Sequence, residues 1–264
     1  AHDAKPLLRS LFGLEVEVSS LALDTKLAAY LLDPADPRYD LAELLAKYAG
    51  AEMAGEEGTP PGQLDLGDGD GDGRDRVTAR RALATAALAA PMREALEARG
   101  LTKLNDEVEV PLVRVLARME DLGIGVDRDE LQALADRLVA EVAEEREAIV
   151  AAAGREFNVY STPQLREVLF DELGLTPQKK TKTGYSTDAA TLEKLRGEHP
   201  IIEHLLRYRE VEKLRSTYGE GLLAEVAVDG RIHATFNQTV ARTGRLSSDQ
   251  PNLHNIPVRS EEGR

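Results

Sequence analysis

Residues 235–259 read TFNQTVARTGRLSSDQPNLHNIPVR, a stretch with few large apolar residues and many flat hydrogen-bonding groups. These polar groups belong to Asn237, Gln238, Arg245, Asn252, His254 and Asn255. Amide and guanidinium groups of this kind read base edges in a nucleic-acid groove, while Ser and Thr hydroxyls contact phosphate and sugar. Because a packed core gains little from so many amides in one segment, the stretch predicts a nucleic-acid contact.

Two basic segments lie upstream of this stretch. In the first, Lys179, Lys180 and Lys182 alternate with small residues that leave the backbone accessible to phosphate oxygens. Taken alone, this segment is more typical of a solvated surface loop than of a phosphate contact. In the second, a predicted helix from Ile201 carries basic residues and ends in hydroxyl groups: Arg207, Arg209, Lys213, Arg215, Ser216 and Thr217.

Charge is unevenly distributed along the chain. The net charge of −14 argues against nucleic-acid binding when the 264 residues are taken as a whole. Residues 176–259, however, contain 13 Lys and Arg against 10 Asp and Glu, a net charge of +3, which leaves −17 for the remainder. A mildly basic surface on an otherwise acidic protein is compatible with DNA binding.

The amino-acid composition excludes cysteine-based sites and favours a helical fold. The sequence has no Cys, so disulfides, thiolate metal sites and a Cys nucleophile are excluded within it. No uncharged stretch approaches the roughly 18 apolar residues of a membrane span. Aromatic residues make up only 4%, and a core of Ala, Leu and Val favours helices. We expect a mainly helical cytoplasmic protein with minor strands, of the α+β class, and we expect it to be monomeric.

Local signals predict several elements. Leu14–Val18 alternates apolar and acidic residues as a half-buried strand does, and residues 232–238 alternate in the same way. Asp127 is the predicted N-cap of a long helix that Gly154 ends, and Gly123 ends the helix before it.

Residues 50–75 are rich in Gly, Pro, Asp and Glu and predict an acidic loop. The loop contains DGDGDG at residues 68–73, and its alternating Asp residues are similar to the start of a calcium-binding loop. The twelfth loop position is Ala79 and not the Glu that such a loop needs, so a solvated acidic segment is the better interpretation.

Several motifs, in order along the chain, resemble those of family A DNA polymerases, most closely the bacterial polymerase I group. TGRLSS at residues 243–248 followed by NLHNIP at 252–257 is similar to the segment that opens the palm of these enzymes. KLRSTY at residues 213–218, FN at 157–158, STPQL at 161–165 and the Lys-rich loop are similar to the thumb. LDTKLAAYLL at residues 23–32 resembles a motif of the 3′–5′ exonuclease domain. The resemblance therefore covers nearly the whole chain.

The resemblance implies roles for individual residues. It places Arg245 in the minor groove at the primer terminus, where a guanidinium meets acceptors that every base pair presents. It assigns further contacts with the duplex to Asn237, Gln238, Thr243, Asn252 and Asn255, and to His254, which stands where Gln is usual in the family. It assigns contacts with the DNA backbone to Lys179, Lys180, Lys182, Lys213, Ser216 and Thr217.

The resemblance also implies what the sequence lacks. Polymerisation in this family uses two Mg²⁺ ions held by carboxylates, and those motifs would lie beyond Arg264. No catalytic residue is therefore assigned, and we expect no nucleotide incorporation by the chain alone. Asp24 matches one metal-binding carboxylate of the exonuclease. The positions of two other ligands hold Asp70 and Arg74, and Arg cannot bind a metal. We therefore interpret Asp24 as a structural residue or relic, in an inactive exonuclease-like domain.

These implications combine into a predicted domain order. Residues 1–104 form the end of a ribonuclease H-like exonuclease domain, residues 105–227 a helical thumb, and residues 228–264 the start of a palm. The expected function is that of a DNA polymerase which extends primers with deoxynucleotides in repair and replication, with this segment gripping primer-template DNA. Two alternatives stay open at this point: a non-catalytic DNA-binding module, and a segment of a phage polymerase of the same family.

Overall fold

A computed structural model describes residues 1–53, 70–182 and 184–256, with the side chains of residues 70–74 left out. The chain is mainly helical, as its composition predicts. The α-helices are α1 (Ala4–Phe12), α2 (Thr25–Leu32), α3 (Leu41–Leu44), α4 (Asp70–Ala98), α5 (Thr102–Leu104), α6 (Val110–Leu122), α7 (Arg128–Ala153), α8 (Thr162–Arg166), α9 (Ala189–Glu193), α10 (Pro200–Leu214) and α11 (Glu220–Ala224). Wider π-helical turns extend α3, α5, α8 and α10 at Leu45–Ala49, Asn105–Glu109, Glu167–Glu172 and Arg215–Gly219.

The strands that the structure describes are short. They are β1 (Ile124–Gly125), β2 (Lys180–Thr181), β3 (Gly184–Tyr185), β4 (Arg231–Ile232), β5 (Thr235–Asn237) and β6 (Ser247–Asp249). β2 pairs with β3 and β5 pairs with β6, both antiparallel, with Phe236 directly opposite Ser248. A 3₁₀ turn, Leu253–Asn255, follows β6. The strand predicted over residues 232–238 is therefore split into two pieces.

The chain divides into two compact units that are not continuous in sequence. The first unit consists of Ala1–Ile124 and His233–His254. Its core has three clusters: one between α2, α3 and α4, one where α1 meets α6, and one where Leu116 of α6 packs with Ala234 and Phe236.

The second unit consists of Gly125–Ile232 together with Asn255 and Ile256 of the described residues. Its core lies between α7 and α10 and includes Ile149, Ile201 and Leu205, each fully buried. A second cluster joins Leu138 of α7 to Val211, Leu214 and Tyr218 at the end of α10. This cluster supports the surface that carries Lys213, Ser216 and Thr217.

The long helix α7 follows its sequence signals closely. The Asp127 carboxylate accepts hydrogen bonds from the backbone N–H groups of Asp129 and Glu130, and Gly154 ends the helix in the left-handed conformation at φ 74°. Gly123 likewise ends α6, at φ 67°. These three predictions are confirmed.

The strand prediction for Leu14–Val18 is wrong. These residues form no strand, and Leu14 and Val16 are 71% and 47% exposed. Within the described residues no neighbouring strand pairs with them, and alternation without a hydrogen-bonding partner does not make a ladder. Only Val18 packs against the cluster between α1 and α6.

The predicted acidic loop lies mostly outside the described residues, which resume at residue 70. Its last part is helical and not a loop, because α4 already begins at Asp70. The DGDGDG segment and its possible calcium site therefore lie partly outside the described residues. Among those that are described, no group of three or more His, Asp or Glu side chains could hold a metal ion. No helix in this part of the chain is long and apolar enough to cross a membrane.

Candidate nucleic-acid interface

In the first unit, the segment from β5 to the 3₁₀ turn forms a hairpin that carries six of the thirteen predicted contact residues. Thr243, Arg245, Asn252 and His254 are exposed on it, and Asn237 is half-buried. We call residues 235–254 the contact hairpin. The sequence predicts that these four exposed side chains meet a nucleic acid.

A buried tyrosine holds the loop of the contact hairpin. Tyr30 of α2 is 3% exposed, and its hydroxyl donates to the backbone oxygen of Ala241 at 2.7 Å. The same hydroxyl accepts from the backbone N–H of Gly244 at 3.1 Å. Gly244 takes φ 77°, a conformation that suits glycine. The Tyr30 hydroxyl therefore holds the backbone of Gly244, the residue directly before the exposed Arg245.

Gln238 and Asn237 are engaged inside the protein. Gln238 is 9% exposed, and its amide nitrogen donates to the backbone oxygen and to the carboxylate of Glu109 at 3.1 and 2.7 Å. The Asn237 amide donates to the Asp249 carboxylate at 2.7 Å. Both residues brace the contact hairpin in the structure, and their contact with DNA stays a prediction.

Ser248 organises the end of the contact hairpin. It is fully buried, and its hydroxyl oxygen accepts from the backbone N–H groups of Leu253 and His254 at 2.9 and 3.2 Å. The His254 ring lies 6.0 Å from the ring of Phe236. Asn252, at the start of this turn, stays exposed.

In the second unit, the three predicted lysines belong to a small β-hairpin formed by β2 and β3. The sequence predicted only a loop here. All three lysines are exposed, and Lys179 forms an ion pair with Asp188 at 3.3 Å. The Arg166 guanidinium donates to the Tyr185 backbone oxygen at 2.7 Å, which fixes the base of the β-hairpin. Lys180 and Lys182 therefore extend from an anchored support.

Asp188 joins this β-hairpin to α9. Its carboxylate accepts from the backbone N–H of Thr191 at 2.8 Å and so caps the helix. Hydrogen bonds with Thr191 and Ser186, with a further one from Lys179, hold the pKa of Asp188 well below its usual range. The charged carboxylate is thus the form that the structure stabilises.

The basic face predicted on α10 is partly used within the unit. Arg207 pairs with Glu141 and Glu210, and Arg215 pairs with Glu212 and Glu220. Arg209 donates to the Thr187 backbone oxygen, and its burial lowers the pKa of its guanidinium. Lys213, Ser216 and Thr217 remain exposed at the end of the helix.

Asn255 belongs to the same end of α10. The Tyr218 hydroxyl donates to its backbone oxygen, and Ile256 packs against the cluster around Tyr218. The Asn255 side chain is exposed.

Asp24, interpreted from the sequence as a structural residue or a relic of a metal site, is buried among backbone donors. It is 2% exposed, and its carboxylate accepts from the backbone N–H groups of Asp3, Ala4, Lys26 and Leu27 at 3.1, 2.5, 2.9 and 3.3 Å. One side chain thus caps the starts of both α1 and α2. Its oxygens are occupied by donors, which does not fit a metal ligand.

Comparison with known proteins gives a consistent result. The family profile described as DNA polymerase family A matches residues 128–264. The chain is 42% identical over 268 residues to DNA polymerase I of Mycobacterium bovis, covering all of this chain and 29% of that protein. It is 42% identical over 271 residues to DNA polymerase I of Geobacillus stearothermophilus, covering 99% of this chain and 30% of that protein. The chain thus spans less than a third of the length of these curated relatives.

A solved structure is similar over nearly the whole chain. It is the POL domain of Pol1 from M. smegmatis in complex with DNA primer-template and dNTP, with a TM-score of 0.85 and 38% identity, covering 99% of this chain and 43% of that one. The resemblance inferred from the sequence motifs is therefore confirmed. The chain belongs to DNA polymerase family A.

Proposed function

We propose that this chain grips primer-template DNA for a DNA polymerase I that extends primers with deoxynucleotides in repair and replication. Family membership supports the proposal, as does the similar structure whose description names primer-template and dNTP. The chain spans only 29–30% of the relatives named DNA polymerase I, so the activity of the whole protein is part of the proposal.

The observation that carries the proposal is the contact hairpin. It presents an exposed Arg245 from a loop whose backbone is held by the buried Tyr30 hydroxyl. A guanidinium fixed in this way can donate to the minor-groove acceptors shared by every base pair, so it tests the shape of a pair without reading sequence. Thr243, Asn252, His254 and Asn237 lie on the same hairpin and are proposed to contact sugar and phosphate, with Gln238 behind them.

In the second unit, the proposed contacts are with the DNA backbone. Lys180 and Lys182 extend from the β2–β3 hairpin, with Lys179 partly neutralised by Asp188. Lys213, Ser216 and Thr217 are exposed at the end of α10, and the exposed Asn255 precedes Ile256, which packs against the cluster around Tyr218. Ammonium and hydroxyl groups at such positions suit phosphate oxygens, which set affinity without sequence preference.

The finer assignments belong to the same proposal. They are an exonuclease-like region over 1–104 without exonuclease activity, a thumb over 105–227 and the start of a palm over 228–264. The double-cap role of Asp24 supports the lack of exonuclease chemistry there. We also propose that the whole protein is monomeric, cytoplasmic and dependent on Mg²⁺. No cluster among the described residues suits a metal ion, so we derive no step through one.

Arg245→Ala tests the proposal directly. We expect the variant chain to bind a fluorescently labelled primer-template duplex about tenfold more weakly, because a hydrogen bond made by a charged group is worth roughly 1.5–3 kcal/mol. In the whole protein we expect slower primer extension. Arg38→Ala is the matched control, since Arg38 is an exposed arginine of the same unit and lies outside the contact hairpin. Equal affinities for the wild-type chain and both variants would remove Arg245 from its proposed role.

A further inference from the structure

Strand β5 of the contact hairpin makes hydrogen bonds on both of its edges, although among the described residues a single strand, β6, pairs with it. On one edge it pairs with β6. On the other, the backbone N–H of Phe236 donates to Oε1 of Glu120 at 2.7 Å, and the Phe236 backbone oxygen accepts from the Lys5 ammonium. In an antiparallel pair, every second residue turns both backbone groups away from its partner, and Phe236 is such a residue. An ion pair thus takes the place that a third strand would fill.

The two side chains that serve this edge are bonded to each other. Lys5 Nζ lies 2.5 Å from Oε1 of Glu120, and Arg9, one turn further along α1, lies 3.2 Å from Oε2. The side chains of Glu120 and Lys5 are 2% and 14% exposed. Nδ1 of the His233 ring lies at hydrogen-bond distance, 2.8 Å, from the backbone oxygen of Glu120. A buried pair of charges tolerates little displacement, because a separated partner would be left unsatisfied.

The position of Phe236 determines the positions of other residues in the contact hairpin. Ser248 stands directly opposite Phe236 in β6, and its hydroxyl holds the backbone of Leu253 and His254. A shift of β5 would therefore move β6 and the turn after it. Arg245 lies on the connection between the two strands, two residues before β6 begins.

We propose that Glu120, together with Lys5, is a positioning residue for DNA binding: it fixes the exposed edge of β5 and thereby sets where the contact hairpin presents Arg245. The inference rests on the proposed function and deepens it. Glu120 touches no DNA in this scheme and acts through the backbone of Phe236.

Two variants test the proposal in the full 264-residue chain. Glu120→Gln keeps an oxygen for the Phe236 N–H but removes the charge that faces Lys5 and Arg9. Lys5→Met removes the donor to the Phe236 oxygen and keeps the length of the side chain. We expect each to weaken primer-template binding, measured by fluorescence anisotropy, about three- to tenfold, the range that coupling between contacting residues produces.

A double-mutant cycle with Arg245→Ala separates positioning from general damage. If Glu120 acts by placing Arg245, then Glu120→Gln should reduce affinity clearly less in the Arg245→Ala background than in the wild-type chain, and the remaining loss should come from the other contact residues of the hairpin. If instead the variant simply lowers the folded fraction, the same loss of affinity should recur in both backgrounds. The cycle is therefore a readout that a merely structural role would not move.

Leu88→Ala is the matched control for stability. Leu88 is fully buried in the cluster between α2, α3 and α4, within the same unit as Glu120. It should lower the melting temperature and leave affinity unchanged at temperatures where the variant is folded. Hydrogen exchange gives a second, DNA-independent measurement: Glu120→Gln and Lys5→Met should speed exchange in peptides from residues 231–253 and leave residues 84–96 protected.

The outcomes distinguish this inference from the proposed function. If the wild-type chain binds no primer-template, or Arg245→Ala binds as tightly as wild type, the proposed function fails, and local exchange alone decides whether Glu120 fixes the hairpin. Two results would contradict the positioning role, given that Arg245→Ala weakens binding. In the first, Glu120→Gln and Lys5→Met bind primer-template as tightly as the wild-type chain. In the second, the affinity that each of them loses is the same with and without Arg245. Affinity lost equally in Leu88→Ala would also overturn it. Should Glu120→Gln fail to fold, Lys5→Met decides by the same criteria.

Discussion

Two acidic side chains, Asp24 and Glu120, are almost fully buried and are surrounded by donors. In the structure Asp24 is the N-cap of α2, and Glu120 falls at the edge of the apolar stripe of α6, but neither buried role is predicted from the sequence. A carboxylate inside an apolar stripe needs buried partners. Lys5 and Arg9, four positions apart on α1, are those partners, but no spacing rule connects them to a residue more than 110 positions away.

The same limit applies to Tyr30. Its hydroxyl fixes the loop before Arg245 from a position 211 residues earlier in the chain than Ala241. The exposed contact residues could be proposed from local composition, because residue type alone indicates which contacts amides, guanidinium groups and hydroxyls can make. The residues that hold them in place could not, because that information lies in tertiary contacts.

Asp24→Ala is expected to lower the free energy of unfolding by about 3 kcal/mol, since it removes two helix caps and leaves buried donors unsatisfied. Urea denaturation followed by circular dichroism measures the change. Asp40→Ala is the matched control, because Asp40 occupies the N-cap position of α3 but its side chain makes no capping hydrogen bond. We expect less than about 0.5 kcal/mol for that variant. A similar small effect for both variants, or stabilisation of the wild-type chain by Mg²⁺ that depends on Asp24, would contradict the structural role.

At the scale of elements, prediction succeeded where local chemistry decides the outcome. Helix α7 begins after Asp127 and ends at Gly154, as the cap signals indicate. It failed at Leu14–Val18, where alternation suggested a strand but no partner strand is present among the described residues. It also missed the β2–β3 hairpin, because two-residue strands leave almost no periodic signal.

Helix α9 and the β2–β3 hairpin share Asp188, which makes their stability sensitive to acid. The pKa of this carboxyl is lowered in the folded state by its bonds with Thr191, Ser186 and Lys179. A lowered pKa contributes stability that is fully present above the unfolded value, about 3.9, and is lost as pH falls below it. We therefore expect Asp188→Asn to flatten the decline of the urea midpoint between about pH 5 and pH 3.

Asp171→Asn is the control for this measurement, because Asp171 is an exposed carboxylate of the same unit. It should leave the pH dependence as in the wild-type chain. If Asp188→Asn and the wild-type chain lose stability along the same curve, the cap and the ion pair with Lys179 do not contribute to acid sensitivity.

At the scale of the whole molecule, the two compact units have different boundaries from the predicted domains. Residues 233–254 pack with the first unit although more than 100 residues separate them from its other segment. The predicted boundaries at 104 and 227 follow a functional resemblance, and the division into exonuclease-like region, thumb and palm stays a prediction. Packing depends on long-range apolar contacts such as that between Leu116 and Phe236, which sequence patterns do not specify.

The distribution of charge leads to a prediction for the whole chain. With a net charge of −14, a long-range repulsion would make DNA binding stronger as salt screens it. Local neutralisation of phosphates by Lys180, Lys182 and their neighbours would instead make binding weaker, because condensed counterions are released. We expect the second behaviour, since ions released at the contact depend on local charges and not on the total.

Changing Lys179, Lys180 and Lys182 together to Ala should weaken binding to all duplex sequences alike and reduce the steepness of log K against log salt by about two. The expected reduction is below the full value for three charges because Lys179 is already paired with Asp188. The matched control changes Lys47, Lys103 and Lys194, three lysines outside the proposed contacts, and so removes the same charge from the molecule. Fluorescence anisotropy at salt concentrations from about 50 to 200 mM measures both slopes. If the two triple variants have the same slope, total charge and not the β2–β3 hairpin governs the contact with DNA.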